Sequence, residues 1–231
     1  RRRRAGPPSI PGCVVPGKLV SPRPIEPDFR SPPRDMSPDK SRTPSFWPRL
    51  PRLRARAPQR RVGLSLYEAI VAQARSEAFY RDHGVPYTVN GRFEMIVLHA
   101  ALVVARLQAE GEEGQELART MLEAFVADVD DACRRIGIGD MGVPRHVKKA
   151  TAAVLERGSI YRTAMAAPRT GDDDPLADAV GVHAWGEPLT TDHAGRRALA
   201  DYVRRTVASL DAQSGERITE GTVLFPSVLT N

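Results

Sequence analysis

The stretch from residue 137 to 150, GIGDMGVPRHVKKA, combines a proline with a run of basic side chains. After Pro144 come four of them, namely Arg145, His146, Lys148 and Lys149. Proline is favoured in the first turn of a helix because the N–H that it lacks has no partner there. Free N–H groups and cations at a helix start attract anions, although the cations oppose the helix dipole. The stretch predicts either a surface for a negatively charged partner or an ordinary basic loop whose charges pair with acidic neighbours.

A second candidate for chemistry is His99, which lies among apolar residues in the stretch GRFEMIVLH. A histidine can carry a proton or bind haem iron, but a single one in an apolar segment is more often a hydrogen-bonded core residue. In a small-molecule enzyme, Glu94 or Asp140 would be its partner, since a general base needs a positioned second group. No spacing in the sequence assembles such a pair, so we predict no catalytic site.

The sequence also predicts no metal site and no cofactor. In the run DVDD, Asp128 and Asp131 would share one face of a helix, whereas a calcium loop needs alternating ligands and a central glycine. The glycines of GIGDMG follow a helix rather than a strand and lack the Lys-Ser/Thr pair of a phosphate loop. Cys13 and Cys133 lie far apart, give no disulfide framework or zinc site, and favour a reducing compartment.

The charge of the chain is divided between two regions. Residues 1–60 contain 15 basic and 4 acidic residues and 14 of the 20 prolines, which gives a formal charge of +11, whereas residues 61–231 carry −5. A segment rich in Pro and Arg buries too little apolar surface to offset the entropy of ordering. We therefore predict that residues 1–60 form a disordered basic tail.

Helical periodicity begins after the tail. Apolar residues recur at spacings of three and four, which predicts helices in the stretches 64–84, 90–111, 112–139, 144–166, 172–186 and 196–213. Ser65 is expected to cap the first helix, and the second is apolar nearly all round, as is typical of the centre of a bundle. The end, ITEGTVLFPSV, predicts an extended strand-like arm. The fold class is therefore all-α, a compact bundle of about five or six helices over residues 64–225.

Two stretches of this bundle resemble a known family. They are residues 66–107, which contain FY…GVP…T…GRFEMIVLH, and residues 136–161, which contain GIGDMGV…VKK. In order and spacing both are similar to the ubiquinol-cytochrome c chaperone family, and the likeness extends over roughly residues 64–225. The tail falls outside it.

The resemblance implies an all-helical assembly factor for the cytochrome bc1 complex, which is respiratory complex III or ubiquinol-cytochrome c reductase. Such a protein holds newly made cytochrome b as its client before haem and partner subunits arrive. By the resemblance it acts without catalysis, and in mitochondria such proteins lie near the ribosomal tunnel exit and bind a small helper protein there. These are expectations that the resemblance carries.

With the resemblance in place, the basic helix start is expected to face ribosomal RNA, lipid headgroups or polar loops of the client. The candidates for partner binding are Arg92, His99, Asp140, Arg145, Lys148 and Lys149. An apolar client also needs exposed apolar surface, for which the second helix and the VLFPSV arm are candidates. The Ala- and Arg-rich composition favours a bacterial protein in the cytoplasm, with peripheral contact to the inner membrane. The matrix side of the mitochondrial inner membrane is the alternative location.

One other class of function fits the same residues. A general ribosome- or RNA-binding module would use the basic tail and residues 145–149, and its binding would weaken steeply with salt. The sequence alone leaves this alternative open beside the chaperone.

Overall fold

The computed structural model describes residues 57–170, 173–186 and 194–229, and all structural statements refer to these ranges. Within them the chain forms eight α-helices and no β-strand, which confirms the all-α class. The helices are α1 (Ala57–Ala74), α2 (Glu77–Arg81), α3 (Val89–Gln108), α4 (Gly111–Arg135), α5 (Val143–Ala166), α6 (Pro175–Trp185), α7 (Ala194–Ala212) and α8 (Gly215–Thr219). Residues 1–56, most of the tail predicted to be disordered, lie outside the described residues.

The first predicted helix differs from the structure at both ends. It begins at Ala57, so that residues 57–60 belong to α1, and Ser65 lies inside the helix. The Ser65 hydroxyl donates a hydrogen bond to the carbonyl of Gly221 at 3.2 Å instead of capping the helix. The predicted helix is also broken, because Ser76 leaves the helical conformation with ψ of 126° and starts α2. The break turns the chain so that Phe79 enters the core, against the rings of His99 and Tyr202.

The centre of the bundle is α3, as its apolar sequence predicts. Helices α1, α4, α5, α6 and α7 all pack against it, and twelve of its residues are buried: Gly91, Glu94, Met95, Val97, Leu98, His99, Ala100, Ala101, Leu102, Val103, Val104 and Leu107. A helix buried on nearly every side stabilises the fold mainly through the apolar area that it removes from water.

A tight turn sets the start of α3. The Thr88 side chain accepts a hydrogen bond from the backbone N–H of Gly91 at 3.0 Å and so caps the helix. A Cβ on Gly91 would lie 2.0 Å from the carbonyl oxygen of Pro86, so only glycine fits this close approach. The turn leaves the side chains of Tyr87 and Val89 exposed at the entrance to the helix.

A second short connection joins α4 to α5. Gly137, with φ of 83°, ends the turn after α4, and Gly142 donates a hydrogen bond to the carbonyl of Gly139 at 2.8 Å. Helix α5 then begins at Val143 with Pro144 in its first turn, as the sequence predicts. The basic residues therefore do follow a helix start.

The C-terminal arm is extended but is not a strand. Ile218 and Thr219 belong to α8, contrary to the prediction, and residues 222–227 run without a paired strand. Side chains hold the arm instead, because the Gln213 amide donates to the carbonyl of Leu224 at 2.9 Å and accepts from its N–H at 2.8 Å. The ring of Phe225 packs edge-on against His99, so the arm closes one side of the core.

Candidate partner-binding surface

The α5 start presents Arg145, Lys148 and Lys149, which we call the basic surface. All three side chains are exposed, and none has an ion pair with a carboxylate among the described residues. The sequence holds no acidic residue between Asp140 and Glu156. The alternative interpretation, that these charges pair with acidic neighbours in the chain, is therefore not what the structure shows.

Asp140 lies next to the basic surface, but its charge is engaged elsewhere. Its carboxylate pairs with the guanidinium of Arg134, which also donates to Asp130 at 2.7 Å. Hydrogen bonds to Asp130 and then to Asp140 raise the pKa of Arg134. Asp140 is highly exposed, so its role as a partner contact stays a prediction.

Two exposed apolar side chains come just before the basic surface in the chain. The exposed fraction of Met141 is 96% and that of Ile136 is 63%. Both lie in the connection of residues 136–142 between α4 and α5, which we call the α4–α5 loop. Together with the cations that follow, they make this connection a candidate interaction surface.

A second exposed set lies at the entrance to α3 and consists of Tyr87, Val89 and Arg92, which we call the α3 entry. The exposed fractions of Tyr87 and Val89 are 70% and 71%. The Arg92 guanidinium lies over the Tyr87 ring, 5.0 Å from its centroid, and the rings of Tyr80 and Tyr87 make a T-shaped contact. The cation–π contact holds Arg92 in place without neutralising it. The four cationic candidates thus form two separate groups along the chain, Arg92 at the α3 entry and Arg145, Lys148 and Lys149 at the start of α5.

His99 is not on a surface. It is fully buried, its Nδ1 lies 2.7 Å from the carbonyl of Met95, and its Nε2 lies 2.9 Å from the Tyr202 hydroxyl. Burial lowers its pKa to about 4, so the ring is neutral at physiological pH. Its candidacy as a partner contact was wrong for this conformation, because no partner can reach a ring that the core encloses on all sides. The structure supports the other interpretation, a hydrogen-bonded core histidine.

A buried ion pair joins α3 to α5, and sequence reasoning missed it. The Arg157 guanidinium donates to the Glu94 carboxylate at 3.2 Å and 3.4 Å, with both side chains nearly buried. Burial raises the pKa of Glu94 although Arg157 opposes the shift. The pKa of His183 is lowered to about 4, mainly by burial and next by the charge of Arg157. The pKa of Tyr161 is raised, mainly by burial and next by the charge of Glu94. The sequence signal for this ion pair is a single carboxylate, Glu94, inside an apolar helix, because a buried carboxylate requires a partner.

With this geometry established, comparison with known proteins identifies the family. The family model described as ubiquinol-cytochrome C chaperone matches residues 81–225. The chain belongs to this family. The matched segment contains both the α3 entry and the basic surface.

Relatives of this chaperone-family chain carry one name. Ubiquinol-cytochrome c reductase complex assembly factor 1 of Drosophila melanogaster is 29% identical over 154 residues, which are 64% of this chain and 57% of the relative. Its human counterpart is 25% identical over 157 residues, 67% of this chain and 50% of that protein. The chain thus spans about half the length of these curated relatives. The crystal structure of the Cbp3 homolog from Brucella abortus matches with a TM-score of 0.65 and 31% identity, over 76% of this chain and 94% of that one.

Elsewhere on the chaperone-family fold there is a cavity of about 590 Å³, lined by His83, Ala198, Asp201, Arg204, Arg205 and Val228. The Nδ1 atom of His83 is buried without a hydrogen-bond partner, and burial followed by Arg205 lowers the pKa of the ring. Arg204 is held by Asp174 and Asp201, whereas Arg205 donates to the backbone carbonyls of Ser227 and Val228. In the described part of the chain no group of three or more His, Cys, Asp or Glu side chains is placed to hold a metal ion. Nor does any helix there have the length and apolar character needed to cross a bilayer.

Proposed function

We propose that this chain is an assembly chaperone for the ubiquinol-cytochrome c reductase (cytochrome bc1) complex and that it binds newly made cytochrome b without catalysis. Membership of the chaperone family supports the role, and the relatives named as assembly factors of that complex support the target. The client is a membrane protein, whose exposed apolar segments aggregate unless another surface covers them.

One observation supports the assignment of client binding to particular residues. At the α3 entry the Arg92 guanidinium lies over the exposed ring of Tyr87, and at the α4–α5 loop the exposed side chains of Ile136 and Met141 come just before the basic surface in the chain. None of these cations has a carboxylate partner among the described residues. An apolar patch with a charged edge suits an incompletely folded membrane protein, because its hydrophobic segments and its polar loops are exposed together. We assign client binding to the α3 entry, where the ring of Tyr87 and the side chain of Val89 provide apolar contact area.

Site-specific crosslinking in growing cells tests this assignment. A photoreactive phenylalanine derivative at Val89 should crosslink to cytochrome b during synthesis, and mass spectrometry identifies the product. The matched control carries the same group at Glu123, an exposed position on α4, where no cytochrome b product is expected. Equal crosslinking at both positions, or none at Val89, would contradict the assignment.

A general ribosome- or RNA-binding module is the second candidate, favoured by the run of cations from residue 145 to 149. Its contacts would be mainly with phosphates, so binding should fall steeply as salt rises. Cosedimentation with ribosomes at low salt that disappears at higher salt would support it. Absence of cosedimentation at low salt, or binding that persists at high salt, counts against it.

The proposed client implies where in the cell the chain acts. A bacterial chain of this kind would act at the cytoplasmic face of the inner membrane, and a mitochondrial one at the matrix face. Affinity capture from growing cells, followed by mass spectrometry, would show cytochrome b, ribosomal proteins and any small helper protein in one experiment. A helper subunit should be recovered in an amount close to that of the chain itself.

A further inference from the structure

We propose that the α4–α5 loop and the basic surface together bind the surface of an anionic phospholipid bilayer, with Met141 and Ile136 entering the interfacial region. This inference goes beyond the assembly role and does not depend on which subunit is the client. It assigns to one segment of the chain a contact with lipid rather than with protein.

The first argument is the orientation of the segment. Helix α5 begins at Val143, so Met141 lies in the loop just before it, whereas Arg145 and Lys148 are three residues apart on the helix and share one face, with Lys149 beside them. Val143 and Ala150 are buried on the opposite face and attach the start of α5 to the core. The cations therefore lie on the side of α5 away from the core, and Met141, with an exposed fraction of 96%, comes directly before this helix in the loop.

A second argument is that the loop is held in shape. The backbone N–H of Ile138 donates to the carbonyl of Cys133 at 3.0 Å, and that of Gly142 donates to Gly139 at 2.8 Å. A loop fixed in this way keeps Met141 exposed without paying further ordering entropy on binding. Anchoring to a bilayer surface requires more than one signal, and a partly inserted apolar group beside a polybasic cluster supplies two.

The chemistry of the surface favours lipid over RNA. Sequence-tolerant binding to single-stranded RNA relies on aromatic rings that stack on bases, and no Phe, Tyr or Trp occurs between Phe125 and Tyr161. Exposed Met and Ile side chains gain nothing from a phosphate backbone, whereas they gain from leaving water for the acyl region of a bilayer. The only carboxylate within the loop, that of Asp140, is paired with Arg134 and so repels lipid headgroups less.

Vesicle binding by the full chain gives the first test. The charge variant carries Arg145→Gln, Lys148→Gln and Lys149→Gln. Its control carries Arg61→Gln, Arg75→Gln and Arg217→Gln, which remove the same number of positive charges from exposed positions elsewhere. Affinity for phosphatidylcholine vesicles containing phosphatidylglycerol should fall about 100-fold in the charge variant, at about fivefold per cation, and much less in the control. Equal binding to vesicles of phosphatidylcholine alone would overturn the proposal.

The apolar contribution is tested separately. Ile136→Ser with Met141→Ser should weaken vesicle binding by about tenfold or more, since burial of such side chains contributes strongly. Leu64→Ser with Leu224→Ser, at exposed positions away from the loop, should leave it unchanged. If the charge variant loses RNA binding while the apolar variant binds vesicles like the wild type, the surface is for nucleic acid and the proposal is wrong.

Residues 1–60 are basic and themselves attract anionic vesicles, so a third test places a fluorescent tryptophan in the α4–α5 loop itself. Met141→Trp is placed in a chain with Trp47→Phe, where the other tryptophan, Trp185, is buried. Its emission should shift to shorter wavelength on anionic vesicles and be quenched by lipids brominated in the acyl chains. Leu64→Trp in the same background should do neither. Unchanged emission from position 141 in the vesicle-bound chain would overturn the proposal, whereas failure of the Val89 crosslink would concern only the client.

Discussion

At the scale of single residues, the buried histidines make stability depend on pH. His99 has a pKa of about 4 in the fold against 6.5 as its ordinary value, because burial disfavours the charged ring. Between these values the unfolded chain binds more protons, so stability is fully present above pH 6.5 and is lost as the pH falls toward 4. His183, with a pKa of about 4, acts in the same direction.

We therefore expect the free energy of unfolding, measured with urea, to fall between pH 7 and pH 5. His99 should contribute about 2 kcal/mol of this loss. His99→Gln should flatten the pH dependence by that share, and His183→Gln should remove a further share. A His99→Gln chain with the same pH dependence as the wild type would contradict the neutral, buried state of this ring.

The Glu94–Arg157 pair leads to a second prediction. Arg157→Ala should lower the free energy of unfolding by about 3 kcal/mol, because it leaves the Glu94 carboxylate buried without its cation. Adding Glu94→Gln to that variant should restore part of the loss, since the uncompensated charge is removed. Arg162→Ala, an exposed change on the same helix, should stay within about 0.5 kcal/mol. Equal effects of Arg157→Ala and Arg162→Ala in urea unfolding would show that the pair contributes nothing.

At the scale of elements, Asp174 links α6 to α7. Its carboxylate accepts hydrogen bonds from the N–H groups of Leu176 and Ala177 at the helix start, and it pairs with the Arg204 guanidinium at 2.6 Å. The hydrogen bond from Arg204 is the main reason why the pKa of Asp174 is lowered. Capping and ion pairing thus depend on one side chain.

Removing this side chain should separate the two contributions. Asp174→Ala should cost about 2 kcal/mol in the free energy of unfolding, the value of a strong cap together with a charged partner. Asp174→Asn keeps an oxygen for the cap and removes only the charge, so it should cost clearly less. Thermal unfolding of both variants measures the difference, and identical losses would show that the cap contributes nothing.

Sequence patterns predict the helices correctly where apolar spacing extends over several turns. They miss the places where a helix breaks or begins without a change in that spacing. The six stretches predicted to be helical match the positions of α1 and α3 to α7, because their apolar spacing is sustained over several turns. The break at Ser76 was missed, since apolar spacing continues through it and only the packing of Phe79 reveals it. The helical start at Ala57 was missed because Pro58 and the arginines after it resemble the tail in composition.

The candidate surface was only partly predictable for a related reason. The cations at 145–149 follow directly from the sequence, but whether they pair with carboxylates depends on how α4 and α5 meet. Sequence also could not show that Met141 is exposed while His99 is enclosed, since both lie in segments with apolar neighbours. Exposure is a property of the packed bundle rather than of the local pattern.

At the scale of the whole molecule, the described helical bundle presents exposed apolar side chains together with cations at two places, the α3 entry and the α4–α5 loop. The α3 entry is assigned to the client and the α4–α5 loop to the bilayer, so the two contacts have separate residues. A chaperone built in this way can hold an apolar subunit near the membrane in which that subunit must be inserted. Binding energy alone is sufficient for the proposed role.

The most direct test of the account is the amount of cytochrome b in a strain that lacks this gene. Haem-b spectra and immunoblots should show much less cytochrome b, and ubiquinol-cytochrome c reductase activity should fall, while other respiratory enzymes remain at their normal levels. Restoring the wild-type gene should restore both. An unchanged cytochrome b level in the deletion strain would contradict the account.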